Sequence, residues 1–173
     1  MTIRIGKIED IMEIMNVIKN AVKDMEAREI HQWDDIYPSD EVILNDINEN
    51  NIYVFVNEAD MIQGIIVLNE HQDTAYEAIE WKYNSDRQLI IHRLCVHPNY
   101  QGKGIARMLI KFSEELGYEQ KYESIRLDAF IQNIRACRMY EQSGYDKRGI
   151  VTFRKGDFYC YEKELYVEYK NKF

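Results

Sequence analysis

"HRLCVHPNYQGKGIARML", residues 92–109, is the stretch that decides how this 173-residue chain folds. It completes the largely apolar run "RQLIIHRLCV", which predicts a strand buried in the middle of a sheet. Pro98 carries no amide hydrogen, so pairing stops at His97-Pro98. From about Gly104, "GIARMLIKFSEELGYE" puts Ile105, Met108, Leu109 and Phe112 on one helical face, with Gly117 near the C-cap. The hexapeptide "QGKGIA" joins strand to helix. The first turn of such a helix presents N–H groups that have no partner within it, together with the positive end of the dipole. Gly102 and Gly104 let the backbone bend and a bulky anion come close, and Lys103 and Arg107 add positive charge. The loop therefore reads as a phosphate or pyrophosphate site. A tight turn that needs glycine for steric reasons alone is the competing reading.

Known phosphate loops narrow the choice. A dinucleotide fingerprint needs glycine or alanine three residues after its second glycine, and Arg107 stands there. The Walker loop needs Gly-Lys-Ser/Thr after four intervening residues, and the chain has no such run. A third pattern, Gln/Arg-x-x-Gly-x-Gly/Ala, is met by Gln101, Gly104 and Ala106.

Working outward, "TIRIG" alternates as a short strand. Ile8, Ile11, Met12, Met15, Ile18 and Val22 recur at helical spacing up to about Met25. "REIHQWDDIYPSD" breaks that period, and Ser39 is placed to cap a helix over "DEVILNDINE". "NIYVFV" and "MIQGIIVL" form a hairpin through "NEAD". "HQDTAYEAIEWKYNSD" reads as loop with a strand fragment around Ala78 to Trp81. "SIRLDAF" is a strand, "NIRACRMYEQSGY" a helix ending at Gly144, and "GIVTFRKGDFYCYEKEL" a hairpin turning near Lys155-Gly156. "YVEYKNKF" reads as a ragged tail. No repeat or linker interrupts this order. The expectation is one α+β domain over residues 1–173, with its core over about 2–165 and a mixed, mostly antiparallel sheet flanked by helices.

Composition bounds the function. Hydrophobic residues make up 46% of the chain, enough for a sizeable core. No run approaches the roughly 18 apolar residues of a membrane span, and the start lacks the features of a secretory signal. Cys95, Cys137 and Cys160 are odd in number and scattered, which predicts free thiols in a reducing cytoplasm and no metal site. Net charge is −8, divided as −13 over residues 1–80 and +5 over 81–173. The acidic total argues against nucleic-acid binding. The uneven division suits a protein that meets a cation and an anion, and equally a pair of solvated faces.

The segment "HRLCVHPNYQGKGIARML" closely resembles the acetyl-CoA-binding segment of the GNAT superfamily of N-acetyltransferases. Leu94, Val96 and Pro98 match the Leu-x-Val-x-Pro pattern of its central strand. Asn133, Ala136, Tyr140 and Gly144 match the family's second segment, with Tyr145 where phenylalanine is commoner. The resemblance is strong from Leu89 to Tyr145 and also points to a bacterial subgroup of mostly unassigned substrate. It implies acetyl-CoA as co-substrate, with the pyrophosphate on the backbone of Gly102, Lys103, Gly104, Ile105, Ala106 and Arg107 beside Gln101. It implies that the backbone of Leu94, Cys95 and Val96 pairs with the pantetheine amides where the central strand splays from its neighbour. Asn133 would bond the cofactor arm, and it also suits an N-cap. Tyr140 would protonate the departing thiolate. The family leaves a homodimer open.

The reaction so implied needs a neutral amine, and an amine of pKa about 10 is mostly protonated at pH 7. His92 shares a strand face with Leu94 and Val96, and its ordinary pKa of about 6.5 suits a base. A histidine that merely packs beside the cofactor is the plainer reading. Glu77, Glu80 and water are rivals. Cys95 points to the other face and reads as a small core residue. Trp33, Tyr37 and Trp81, with Asp34, Phe153 and Tyr159, are candidates for the wall of an acceptor pocket that takes a small or peptide amine. Two further readings are an acyl-CoA-binding sensor without turnover and a partner-binding protein that keeps only the fold.

Overall fold

The structure is a computed structural model that describes residues 2–84 and 87–165. The strands are β1 (Thr2–Ile5), β2 (Ile52–Val56), β3 (Ile62–Asn69), β4 (Gln88–Val96), β5 (Ser124–Phe130), β6 (Asp146–Phe153) and β7 (Gly156–Glu164). The helices are α1 (Ile11–Glu26), α2 (Asp40–Asn48), α3 (Ile105–Glu119) and α4 (Ile134–Gln142). The strands form one seven-stranded sheet in the order β1-β2-β3-β4-β5-β7-β6. β4 and β5 are parallel, and the pairs β1–β2, β2–β3, β5–β7 and β6–β7 are antiparallel. This is the mixed, helix-flanked sheet that the sequence predicts. The expected tail, residues 166–173, lies outside the described residues.

The chain divides into two compact units. One comprises the residues up to Leu68 with Arg93–Ile110, the other Asn69–His92 with the chain from Lys111 onward. In the first unit, α1 and α2 bury Ile14, Val17, Ile18 and Ile43 with Val54 and Ile65 of the strands. The α1 period is real but its face is rotated. Met15 and Ile18 are buried as expected, Ile11 and Val22 pack at the edge, and Ile8 and Met12 face solvent, Met12 at 80% exposure. Ala21 and the β-branched Val17 take the core side instead. Ser39 does cap α2, accepting from Val42 N–H at 3.3 Å.

In the second unit, residues 74–78 form a short 3-10 turn, and no strand forms around 78–81. Asp73 starts the turn by accepting from Ala75 N–H at 2.8 Å. Tyr76 is then drawn into a small cluster with Ile90, Val151 and Cys160, and the Trp81 indole donates to the Tyr76 carbonyl at 2.9 Å. Local side-chain bonding thus displaces strand pairing. On α3, Ile105 and Leu109 are buried while Met108 is 39% exposed. Gly117 lies inside α3 rather than capping it. A Cβ there would fall 2.7 Å from Leu165 Cδ1 and 3.3 Å from Leu89 Cδ2, so glycine serves close packing.

Candidate active site

In the first unit, the end of β4 runs into its exit loop. His97 N–H donates to the Gln63 carbonyl at 2.9 Å and holds the end of β4 beside β3. A 3-10 turn at Pro98–Tyr100 follows, with His97 Nδ1 accepting from Asn99 N–H at 3.2 Å. The Gln101 amide reaches back to the Val96 carbonyl at 3.2 Å, closing the base of the loop. Gly102 and Gly104 adopt φ of 77° and 83°, the left-handed region that glycine alone enters without strain. A Cβ at either would meet nothing within 4 Å, so backbone conformation selects glycine here and crowding does not. α3 starts at Ile105, and Met108 N–H makes the first helical bond to the Gly104 carbonyl at 3.0 Å. Lys103 and Arg107 are exposed, with Lys103 Nζ 5.0 Å from the Tyr100 ring centre. A helix start behind two exposed left-handed glycines, flanked by cations, fits a diphosphate.

Leu94, Cys95 and Val96 form the last stretch of β4. Parallel pairing with β5 runs from Gln88↔Ser124 to Ile91↔Leu127, and both strands continue past that couple. Cys95 is buried in the first unit's core, and burial pushes its thiol up to about 12. It is therefore a packing residue in its side chain, whatever its backbone binds. Trp33 is buried in the same core. Asp34 Oδ1 accepts from Ile36 and Tyr37 N–H, each at 3.1 Å, and folds that loop on itself. The Tyr37 hydroxyl lies 2.6 Å from Arg93 Nη1, and Arg93 forms a buried, two-point ion pair with Asp46 of α2. Neither Arg93 nor Asp46 stands out in the sequence.

The second unit carries His92, Asn133 and Tyr140. His92 Nε2 is 2.7 Å from Asn69 Oδ1, which also accepts from His71 N–H at 2.8 Å. The second bond fixes the amide, so Nε2 is the donor and carries a proton. Asn133 Oδ1 caps α4, accepting from Ala136 N–H at 3.2 Å. Tyr140 is buried among Tyr145 and Tyr161, at ring-centre distances of 5.9 and 6.0 Å. Burial first, then the Asp128 charge, holds its phenol well above the usual tyrosine range. It stays protonated at neutral pH, as a proton donor must. Glu77 and Glu80 are exposed, Glu77 on the 3-10 turn and Glu80 just beyond it. Trp81 packs on Tyr76 and lies 4.3 Å from the Arg126 guanidinium. Phe153 packs on Phe158, and the Tyr159 ring sits 3.5 Å from Lys147 Nζ. Among the described residues, no group of three His, Cys, Asp or Glu side chains could hold a metal ion, and no helix is long and apolar enough to cross a membrane.

The sequence model of the acetyltransferase (GNAT) family matches residues 9–145. The chain belongs to this family. Streptothricin acetyltransferase of Escherichia coli is 32% identical over 63 residues, a match spanning 36% of this chain and 36% of that protein. Among solved structures, a Staphylococcus aureus Mu50 protein described as an acetyltransferase is 30% identical. It covers 95% of this chain and 99% of its own, with a TM-score of 0.75. The PaiA N-acetyltransferase of Thermoplasma acidophilum, solved in complex with coenzyme A, has a TM-score of 0.70 at 20% identity, covering 94% of this chain and 98% of that one. That likeness is one of fold. The matched residues include the glycine loop at Gln101–Arg107, Asn133 and Tyr140.

Proposed function

We propose that this chain is an acetyl-CoA-dependent N-acetyltransferase that moves an acetyl group to a primary amine, on a small molecule or a peptide, by direct attack. The observation that carries this reading is the left-handed glycine pair at the start of α3, in a chain whose residues 9–145 match the acetyltransferase family. Acetyl-CoA supplies an acetyl group activated as a thioester. The backbone from Gly102 to Arg107 would hold the diphosphate, with Lys103 and Arg107 as counter-charges. The backbone of Leu94–Val96 would pair with the amide-bearing arm in the manner of an added strand. The coenzyme A complex of the Thermoplasma relative supports the same co-substrate here.

Tyr140 would give its Oη proton to the leaving sulfur. Its buried, protonated phenol suits that task. Holding amine and thioester together in one ternary complex would supply much of the rate. The buried thiol of Cys95 is a poor nucleophile, which favours direct attack over an acyl-enzyme.

The test is thiol release from acetyl-CoA with streptothricin, spermidine and a short peptide bearing a free amino terminus, with the product identified by mass. The streptothricin arm follows from the Escherichia coli relative. Acceptor-dependent release by wild type, with an acetylated product, is expected. Tight acetyl-CoA binding without release in any arm would favour a sensor and contradict this reading.

A further inference from the structure

Asp128 is the acid that the sequence reading passed over. It lies on β5 one residue beyond Leu127, the last residue paired with β4, and His92 lies one residue beyond Leu127's partner Ile91. Side chains alternate along a strand, so Asp128 and His92 both sit on the face opposite Ile91 and Leu127. Both therefore stand where the parallel pairing ends. Asp128 accepts the Tyr76 hydroxyl at 2.7 Å and keeps part of its surface accessible.

We propose that Asp128, oriented by Tyr76, accepts the proton of the acceptor amine. The proposal rests on the acetyltransferase reading and deepens it by assigning its base. His92 is the nearest rival: with Nε2 donating to Asn69, Nδ1 is its one nitrogen able to accept a proton. Glu77 and Glu80 are exposed, and among the described residues no comparable hydrogen bond holds either carboxylate. Asp128 combines a hydrogen-bonded orientation with a desolvated setting, bonded to Tyr76 and opposite Cys160 of β7.

The groups acting on it are Asp73 and Tyr76 from the segment before β4, Cys160 of β7 and Tyr140 of α4, with His92 at the matching place on β4 and Arg126 two residues back on β5. Burial, opposed by the Tyr76 bond and aided by Asp73, pushes the Asp128 carboxyl up to about 6. A carboxylate so raised is ionised at pH 7 yet basic enough to take a proton. One proton passes from the ammonium nitrogen to Asp128 and then to solvent. The neutral amine forms the C–N bond, the C–S bond breaks with its electron pair on sulfur, and sulfur takes the Tyr140 proton. The second nitrogen proton returns to Tyr140, which ends unchanged. Asp128 is thus the catalytic residue and Tyr76 a positioning residue.

The experiment compares wild type, Asp128→Asn and Tyr76→Phe. Thiol release is followed with streptothricin, spermidine and the peptide, and with hydroxylamine, which is already unprotonated at neutral pH. Asp128→Asn is expected to slow the alkylamine reactions about 10²–10⁴-fold and to spare hydroxylamine. In wild type the Asp128 carboxyl resonance should titrate near 6, and Tyr76→Phe should raise both that midpoint and the acid limb of the rate profile. Wild-type rates in Asp128→Asn, equal loss with both nucleophile classes, or a carboxyl midpoint near the ordinary value of about 4 would each overturn the assignment while leaving the acetyltransferase reading intact. No release by wild type with any nucleophile would overturn that reading, and this proposal with it.

Discussion

At the residue scale, the proposed chemistry rests on few side chains whose surroundings set their protonation. Tyr140 is held protonated by burial and by the Asp128 charge. Tyr140→Phe keeps the ring in its aromatic cluster and removes the proton. Thiol release should fall about 10²-fold or more, with acetyl-CoA affinity and melting temperature close to wild type. Asp128 makes a separate prediction about stability. Its carboxyl holds a proton more tightly in the folded state, at about 6, than in the unfolded chain. Its contribution to stability is therefore complete below the unfolded value of about 3.9 and is lost as pH rises through 6. Asp128→Asn should melt above wild type at pH 8, and the gap should close towards pH 5, measured by calorimetry. A gap that does not change with pH would contradict a raised carboxyl.

At the element scale, the segment between β3 and β4 is pinned from one buried pair. Arg126 Nε lies 3.0 Å from Glu162 Oε1, and Nη1 reaches Gln72 at 2.7 Å. Glu162 in turn accepts from Lys82 N–H at 2.8 Å, and the guanidinium lies under Trp81. Arg126→Met should cost about 3–5 kcal/mol in urea unfolding, because it takes the close cation from a buried carboxylate and leaves it only Arg148 at 3.9 Å. Arg126→Met with Glu162→Met should cost clearly less. In α3, Gly117→Val would drive methyl groups into Leu165 and Leu89 and should cost about 1–3 kcal/mol. Helices and hairpins were legible because their signals are local: the Ser39 cap, the apolar run of β4, the hairpin before Gly156. The strand expected near Ala78 was not, because the side-chain bond of Asp73 and the burial of Tyr76 decide that segment.

At the scale of the whole molecule, the sequence was most informative where backbone shape and chemistry share one short stretch. Gln101 to Arg107 could be read directly, since left-handed glycines before a helix leave a mark in the sequence itself. The pairs His92–Asn69, Arg93–Asp46 and Tyr76–Asp128 could not, being 23, 47 and 52 residues apart in the chain. Packing of a helix, a turn and a strand end against the sheet brings them together, and no local period announces them. Trp33 shows the converse: an aromatic in an acidic, aperiodic loop reads as a pocket wall, yet α1 and α2 bury it in the core. If the chain binds acetyl-CoA, ligand at about 100 times its Kd should stabilise it by about 2.7 kcal/mol, which at about 2–4 °C per kcal/mol raises the melting temperature by several degrees. The most direct test is calorimetric titration of acetyl-CoA into wild type, Gly104→Ala and Gly104→Glu. Alanine adds the left-handed strain alone, since its Cβ meets nothing within 4 Å, and glutamate adds bulk and negative charge at the same backbone cost. The account predicts binding by wild type, moderate weakening in Gly104→Ala and loss in a folded Gly104→Glu. No binding by wild type, or equal binding by all three, would contradict it.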